Sequence, residues 1–563
     1  MFDALFTTTT EYKKLSYALS GKGACALFGL PTSGRAQVYA ALCRQLDKPL
    51  CIVTPGEAEA TRFAADLNTL GIPAAVFPAR DYVLRPIEGT AREYEYRRLA
   101  VLGELVGGRL RAVAVPAEAL TQFTTPKEDF CANTRTLHAG DTLLRDDLLA
   151  ALFGAGYTRR AQVDGPGQFS VRGDIVDIFA PDQKMPVRME FWGDEIDTLH
   201  TFDLTTQRRE DAIDKFYLSP AREVLFGKPA DAAEQLRAFL AKQRGKKKTA
   251  MADCMAADLD LLDGGAVPVN MDKYLAVRYP HPATVLDYFD DPILVAEEPA
   301  SIREADRATA YRRGEELKSL ILDGVLCAGL DNLYADPSCL WSKTGHYRTI
   351  CAENFARSMP DQPLKDIINA PAHSLPAWNG EVAGLLEDLK PLCDAGYTVT
   401  LLAGTDRAAA GLARDLRDKG ILVTTDAAAA PAAGLVQVLA GHLSAGCEFP
   451  FAKYALLTGR AFGETSSQKK KRKKAKDALN SLTEITPGDL VVHQNHGIGR
   501  YAGIQRMAVQ GVTKDYLRIE YDKKDVLYVP VTQLDLLSRY TAPGDSENVK
   551  LRDRKSTRLN SSH

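Results

Sequence analysis

Short apolar runs alternate with stretches of helical spacing at the start of the chain. "ACALFGL" (residues 24–30) has the character of a buried strand. A glycine-bearing loop follows, and "QVYAALCRQL" then repeats its apolar positions with helical period. "PLCIVTP" is a second buried strand, and "EAEATRFAADLNTLG" is a helix closed at Gly71. "AAVFP" and "RAVAVP" continue the alternation. Strands that are apolar throughout, with helices between them, predict a parallel, doubly wound sheet.

The period changes near residue 125. "GQFSVRGDIVDIFAP", "MPVRMEFWGDEIDTLHTFD" and "KFYLSP" alternate like antiparallel strands, which predicts an inserted α+β module. A helical stretch over "DAAEQLRAFLAKQRGKKKTAMADCMAADLDLLDGG" returns the chain to a buried strand in "ILVAEEP". A further α/β unit begins near residue 361, with "YTVTLLAG" as strand and "DRAAAGLARDLRDKG" as a helix closed by Gly420. "ETSSQKKKRKKAKDALN" cannot bury its own charge and is expected to be a solvated linker. Beyond residue 483 the period becomes two in "DLVVHQ", "GIGRYAGIQRMAV", "DYLRIEYD" and "VLYVPV", which predicts a small SH3-like barrel. "TQLDLLSRY" would be its closing helix. The fold class expected is α/β and multi-domain, with P-loop-like doubly wound domains, the inserted module and the C-terminal β-barrel.

Composition narrows function without deciding it. The apolar share of 45%, charged share of 25% and net charge of −3 are ordinary for a globular protein and give no global attraction to nucleic acid. The 10 cysteines stand singly with no CxxC spacing, which argues against zinc and for a reducing compartment. No signal peptide or membrane-spanning apolar run is visible, so a cytoplasmic protein and no membrane partner are expected. His493 and His496 form an HxxH with no third ligand of suitable kind nearby, so no metal is expected. The basic block at residues 469–476 reads as linker rather than as a DNA contact. The polar tail "RDRKSTRLNSSH" is similar to translated adapter sequence, and residues 552–563 are expected to be artefactual or disordered at the end of a shortened gene product.

"GLPTSGRA" carries the chemistry most worth weighing. Gly29 and Gly34 keep the glycine frame of a phosphate-binding loop, in which backbone N–H groups at a helix start cradle phosphates. Arg35 stands where the loop needs lysine, and Ala36 has no oxygen for a magnesium ion. Downstream, Glu297 and Glu298 follow the apolar strand where an ATPase carries Asp-Glu. The functional reading is a weak anion or nucleotide site. The structural reading, which is favoured, is a relic turn that packs a helix on a sheet, with no catalytic residues and no cofactor.

"GQFSVRGDIVDIFAP…RMEFWGDEIDTLHTFD" resembles the module shared by the excision-repair protein UvrB and the bacterial transcription-repair coupling factors (the Mfd family). "GDLVVHQNHGIGRYAGI" with "LYVPVTQLDLLSRY" resembles the CarD-like RNA-polymerase-interacting domain of that family. The resemblance, over about residues 1–551, implies a division of the chain. Residues 1–122 would be the degenerate first part of a UvrB-like module and 123–214 a UvrA-binding insertion. Residues 215–345 would be its second part, 361–463 a small α/β domain, 464–482 the basic linker and 483–546 the polymerase-binding barrel. It also implies transcription-repair coupling in nucleotide excision repair, with UvrA and the RNA polymerase β subunit as partners in a bacterial cytoplasm. The family's ATP, magnesium and double-stranded DNA would belong to a translocase that is not recognisable here.

By the same resemblance Arg172, Arg188 and Trp192 match the residues that hold UvrA. Residues 188 and 192 share a strand face. The alternative is that Arg172 pairs with Asp174 or Asp177 and Trp192 caps a core. Ile504 and Met507 are the polymerase contacts implied, on an edge strand bent at Gly503, with Met507 facing outward. Tyr82, Tyr94 and Tyr96, in the place of UvrB's damage-clamping hairpin, are expected to pack helices instead. Two competing readings are a UvrB-like nucleotide-dependent helicase subunit, opposed by Arg35 and Ala36, and a CarD-like regulator alone, opposed by the large α/β portion.

Overall fold

The structure is a computed structural model that describes residues 5–86, 92–337, 343–354, 363–378, 382–459, 486–493, 497–509, 512–521, 526–530 and 537–539. The first unit alternates as its sequence predicts: β1 (Gly23–Phe28), α1 (Thr32–Leu46), β2 (Leu50–Thr54), α2 (Glu57–Thr69), β3 (Ala74–Val76), α3 (Glu93–Val106) and β4 (Ala112–Pro116). The insertion contributes β5 (Arg135–His138), β6 (Thr158–Arg159), β7 (Gln168–Arg172), β8 (Ile175–Phe179), β9 (Val187–Trp192), β10 (Glu195–Phe202), β11 (Arg209–Ala212) and β12 (Lys215–Leu218). Helix α4 (Gly245–Asp263) leads back to β13 (Ile293–Glu297), α5 (Pro299–Leu322), β14 (Arg348–Glu353) and β15 (Leu364–Asn369).

Seven of these strands form one parallel sheet in the order β15-β1-β14-β13-β2-β4-β3. The chain thus leaves this sheet after β4, builds the insertion and returns to complete it. Strand β15 lies inside the span expected for the small α/β domain, yet it pairs with β1 of the first sheet. Its own sequence, "LKDIIN", gives no sign of which sheet it joins.

The insertion is a six-stranded sheet, β11-β10-β9-β8-β7-β6, antiparallel from β7 onward. One face carries Phe169, Val176, Ile178, Val187, Met189, Phe191, Ile196 and Leu199 into a core closed by Leu148, Leu152 and Phe216. Because side chains alternate along a strand, the residues between these face the other way.

The third unit comprises β16 (His373–Leu375), β17 (Thr398–Leu402), α6 (Asp406–Asp418), β18 (Val423–Thr424), β19 (Val436–Leu439), β20 (Gly446–Phe449) and β21 (Tyr454–Thr458). Its sheet order is β16-β20-β21-β17-β19-β18. The last unit is a five-stranded antiparallel sheet, β25-β24-β23-β22-β26, of β22 (Leu490–His493), β23 (Gly497–Val509), β24 (Val512–Glu520), β25 (Val526–Pro530) and β26 (Leu537–Arg539). The expected closing helix is corrected over the part described: Leu537–Arg539 pair with β22 as a strand, and residues 532–536 and 540 lie outside the described residues. The ladder takes Leu537 into the small core with Val491, Leu517 and Val529, and that burial outweighs a local helical pattern. The basic linker and the terminal tail lie outside the described residues.

Candidate partner-binding surfaces

Gly29 closes β1 with φ +84°, and a Cβ there would lie 3.0 Å from Asn369 Oδ1 and 3.1 Å from Ala370 O. Only glycine fits that turn. Helix α1 begins three residues later, so a tight turn joins strand to helix. Its chemistry is turned inward. Arg35 is 1% exposed. Its Nη1 donates to Glu297 Oε2 at 2.5 Å, and its Nη2 to Glu298 Oε1 and Asn354 Oδ1, each at 2.8 Å. Its Nε donates to Leu30 O at 2.9 Å, and the Tyr39 hydroxyl donates to the other Glu297 oxygen at 2.5 Å.

Burial opposes the charge on Arg35, but the adjacent Glu297 carboxylate and the hydrogen bonds with both acids hold its pKa above the ordinary value. Burial pushes the Glu297 carboxyl up, against the pull of Arg35 and Tyr39. Four acceptors converge on the guanidinium and hold it charged.

The helix start is also covered. Ser33 Oγ donates to Gly446 O at 3.2 Å, and a Cβ on Gly34 would lie 2.8 Å from Cys447 Sγ. Ala36, Val38 and Tyr39 share a core with Leu443, Cys447, Phe449 and Tyr454 of the third unit. Ser33 and Ala36 are buried as well. The first turn of α1 is therefore a packing surface for β20, whereas an anion site needs open N–H groups. Tyr82 and Tyr94 are buried, and Tyr96 donates to Pro166 O at 3.1 Å, so these tyrosines pack the module as expected. Residues 87–91 between them lie outside the described residues.

The outer face of the insertion sheet is different. Asp177 on β8 is fully buried and sits opposite Arg188 on β9 in the ladder. Arg188 binds it with two nitrogens, Nε to Oδ1 at 2.7 Å and Nη2 to Oδ2 at 3.0 Å. Arg172 on β7 reaches the same carboxylate at 2.5 Å. One acid thus serves two cations. The hydrogen bond to Asp177 is the main reason that the Arg188 pKa lies above its ordinary value. Arg188 also lies over the Phe202 ring at 4.7 Å and donates to Gln207 O at 3.1 Å. Its neighbours are the Glu190–Arg209 ion pair and His200, which is opposite Arg188 on β10.

All three residues lie in this sheet, with one correction to the expectation and one alternative set aside. Arg188 is buried rather than offered freely to a partner. Trp192 does not cap a core, because it is 82% exposed at the end of β9. The pairing of Arg172 with Asp177, raised as the alternative, is present alongside the exposed face. Asp177, as the shared anchor, was missed as a functional residue; its signal was a lone acid amid the apolar strand "IVDIF".

In the last unit, β22 pairs with β23 from Gly497 to Arg500, and Tyr501 bonds Asp489 and Gly488. The register of β23 against β24 shifts between Tyr501 and Gly503, a bulge that bends the strand at the residue the sequence marks, with Gly503 at φ +115°. Beyond it, among the described residues, only β24 pairs with β23. Ile504 is 47% exposed on this segment. Met507 sits opposite Lys514 in the ladder, and its side chain, with the expectation that it faces outward, lies outside the described residues. His493 is buried, His496 lies outside the described residues, and no metal-holding cluster occurs among those described. No helix there is long and apolar enough to cross a membrane.

Two family models match the chain: the UvrB interaction domain over residues 136–224, and the CarD-like/TRCF RID domain over 485–541. They coincide with the sheet bearing Trp192 and with the sheet containing the bent strand. Curated relatives align along nearly the whole length. A transcription-repair-coupling factor of Bacillus subtilis is 27% identical over 92% of this chain and 45% of its own length. The chain is similar to the transcription-repair-coupling factors. Those of Staphylococcus haemolyticus and Staphylococcus aureus (strain MRSA252) are 27% and 25% identical, over 92% and 93% of this chain and 45% and 46% of their own. The chain therefore spans about half the length of the coupling factors that it matches.

Proposed function

We propose that the chain is a recruiting portion of a transcription-repair-coupling factor, acting by binding rather than by hydrolysis. The insertion presents Arg172 and Trp192 to UvrA, with Arg188 buried on Asp177 behind them, and the edge of β23 that is unpaired among the described residues adds to a sheet of the RNA polymerase β subunit. Strand addition takes its affinity from the backbone and its register from side chains such as Ile504 and Met507. The P-loop-like turn at Gly29 is a structural relic: Arg35 is spent on Glu297 and Glu298, and β20 covers the helix start. On this reading the ATP, magnesium and double-stranded DNA of coupling factors belong to the part of those proteins that this chain does not match. The last sheet is the SH3-like element of the polymerase contact, and the setting is the bacterial cytoplasm.

The observation that carries the proposal is Trp192. An 82% exposed tryptophan beside two arginines on one sheet face is costly to leave in water and is typical of an interface hot spot. A UvrA titration tests it. Trp192→Ala should weaken binding by about 2 kcal/mol, roughly 30-fold, with no change in melting temperature. Arg172→Ala should weaken it without unfolding. Arg188→Ala is the poorer probe, because it removes the bidentate partner of a buried carboxylate and costs about 3–5 kcal/mol of stability. Unchanged UvrA affinity in both Trp192→Ala and Arg172→Ala would refute the assignment.

A further inference from the structure

We propose that Cys254 and Cys327 form a reversible dithiol–disulfide pair, a site of oxidative modification. Cys254 is half-buried on α4, and Cys327 lies in the segment that follows α5 and packs back across α4. The Cys254 thiol donates to Val325 O at 3.0 Å, two residues before Cys327. On the far side of Cys327, a Cβ at Gly329 would lie 3.3 Å from Lys247 Nζ and 3.4 Å from Met251 Cε, both from α4. The segment is thus held against the helix on both flanks of Cys327. Cys254 Sγ thus lies beside the backbone that leads into Cys327, and both cysteines pack in the same core. A disulfide of about 2.05 Å needs two thiols whose backbones are already close, and this packing supplies them.

The pair is chemically asymmetric. The hydrogen bond from Cys327 is the largest influence holding the Cys254 thiol down at about 7, opposed by burial and aided by Lys273, whose ammonium donates to Cys254 O at 2.5 Å. The same hydrogen bond, with burial, pushes Cys327 up. Cys254 is therefore the nucleophile and Cys327 the resolving thiol. Burial pushes the Cys25 and Cys351 thiols up to about 12, and Cys51 and Cys447 upward as well, so these are not competitors.

With hydrogen peroxide as oxidant, the Cys254 thiolate attacks one peroxide oxygen. The O–O bond breaks, and a sulfenic acid and hydroxide form. The Cys327 sulfur then attacks the sulfenic sulfur; its proton and the departing hydroxyl leave as water, and the S–S bond closes. Two thiols are oxidised, one peroxide is reduced to water, and an external dithiol reverses the change.

The test uses the full chain, limiting peroxide, and peptide mapping after the remaining thiols are blocked. A peptide linking Cys254 to Cys327 should appear, vanish with dithiothreitol and be absent from Cys254→Ser. Iodoacetamide at pH 7 should alkylate Cys254 about fivefold more slowly in Cys327→Ala, as its thiolate fraction falls. Circular dichroism checks that both variants fold. Oxidation of Cys254 with no linked peptide, linkage spread over other cysteines such as the exposed Cys131, no oxidation, or an alkylation rate indifferent to Cys327→Ala would each overturn the proposal.

Discussion

Arg35 shows how one residue redirects a whole site. A phosphate loop aims its cation outward at a ligand; here the Arg35 guanidinium points inward to Glu297, Glu298 and Asn354. Removing it leaves a buried carboxylate uncompensated, so Arg35→Ala should destabilise the protein by about 3–5 kcal/mol in a denaturant melt. A loss below about 1 kcal/mol would show that the pair does not hold the fold. Gly34 makes a second, independent case. A methyl group there meets Cys447 Sγ, so Gly34→Ala should cost about 1–3 kcal/mol, and Cys447→Ala in the same chain should recover part of it. Equal costs with and without Cys447→Ala would mean that the sulfur is not the obstacle.

At the scale of elements, β23 is the informative strand. It pairs with β22 from Gly497 to Arg500 and with β24 from Arg500 onward, so beyond the bulge it is paired on one edge among the described residues. Ile504→Arg should reduce co-purification with the polymerase β subunit at least about tenfold and leave the melting temperature unchanged. Retained co-purification by both Ile504→Arg and Met507→Arg would rule out this edge. The strands themselves were legible in the sequence, because period two and buried apolar runs are local signals. The sheet that β15 joins was not, because its partner β1 lies some 340 positions away and "LKDIIN" would suit either sheet. The strand at Leu537–Arg539 was hidden for the same reason, since a pairing decides it. Arg172, Arg188 and Trp192 were singled out through resemblance, but the burial of Arg188 depends on Asp177 across the ladder and could be seen only after folding. Cys254 and Cys327 meet through packing rather than through spacing, so no CxxC search finds them.

Across the whole molecule, buried charge ties the first unit to the segment between the insertion and β13. Arg98 donates to Glu223 Oε1 at 2.6 Å, Arg80 donates to Asp272 Oδ2 at 2.7 Å, and Glu95 accepts from the Glu223 N–H at 3.0 Å. Burial would raise the Glu95 pKa, but Arg80, Arg92 and Arg222 overcome it and hold the carboxyl down at about 2. A depressed acid contributes stability that is complete above its ordinary value of 4.5 and is lost as pH falls through about 2. The stability difference between wild type and Glu95→Gln should therefore be constant above pH 5 and shrink across that acid window, as followed by urea midpoints. A difference independent of pH would contradict it. This network ties the first unit to the chain that returns from the insertion, and the function proposed above acts by binding, without hydrolysis. The most direct measurement of that claim is phosphate release by the purified chain with magnesium and ATP. The account predicts release no faster than in buffer, for wild type and Arg35→Ala alike. Magnesium-dependent release from wild type that Arg35→Ala abolishes would contradict it.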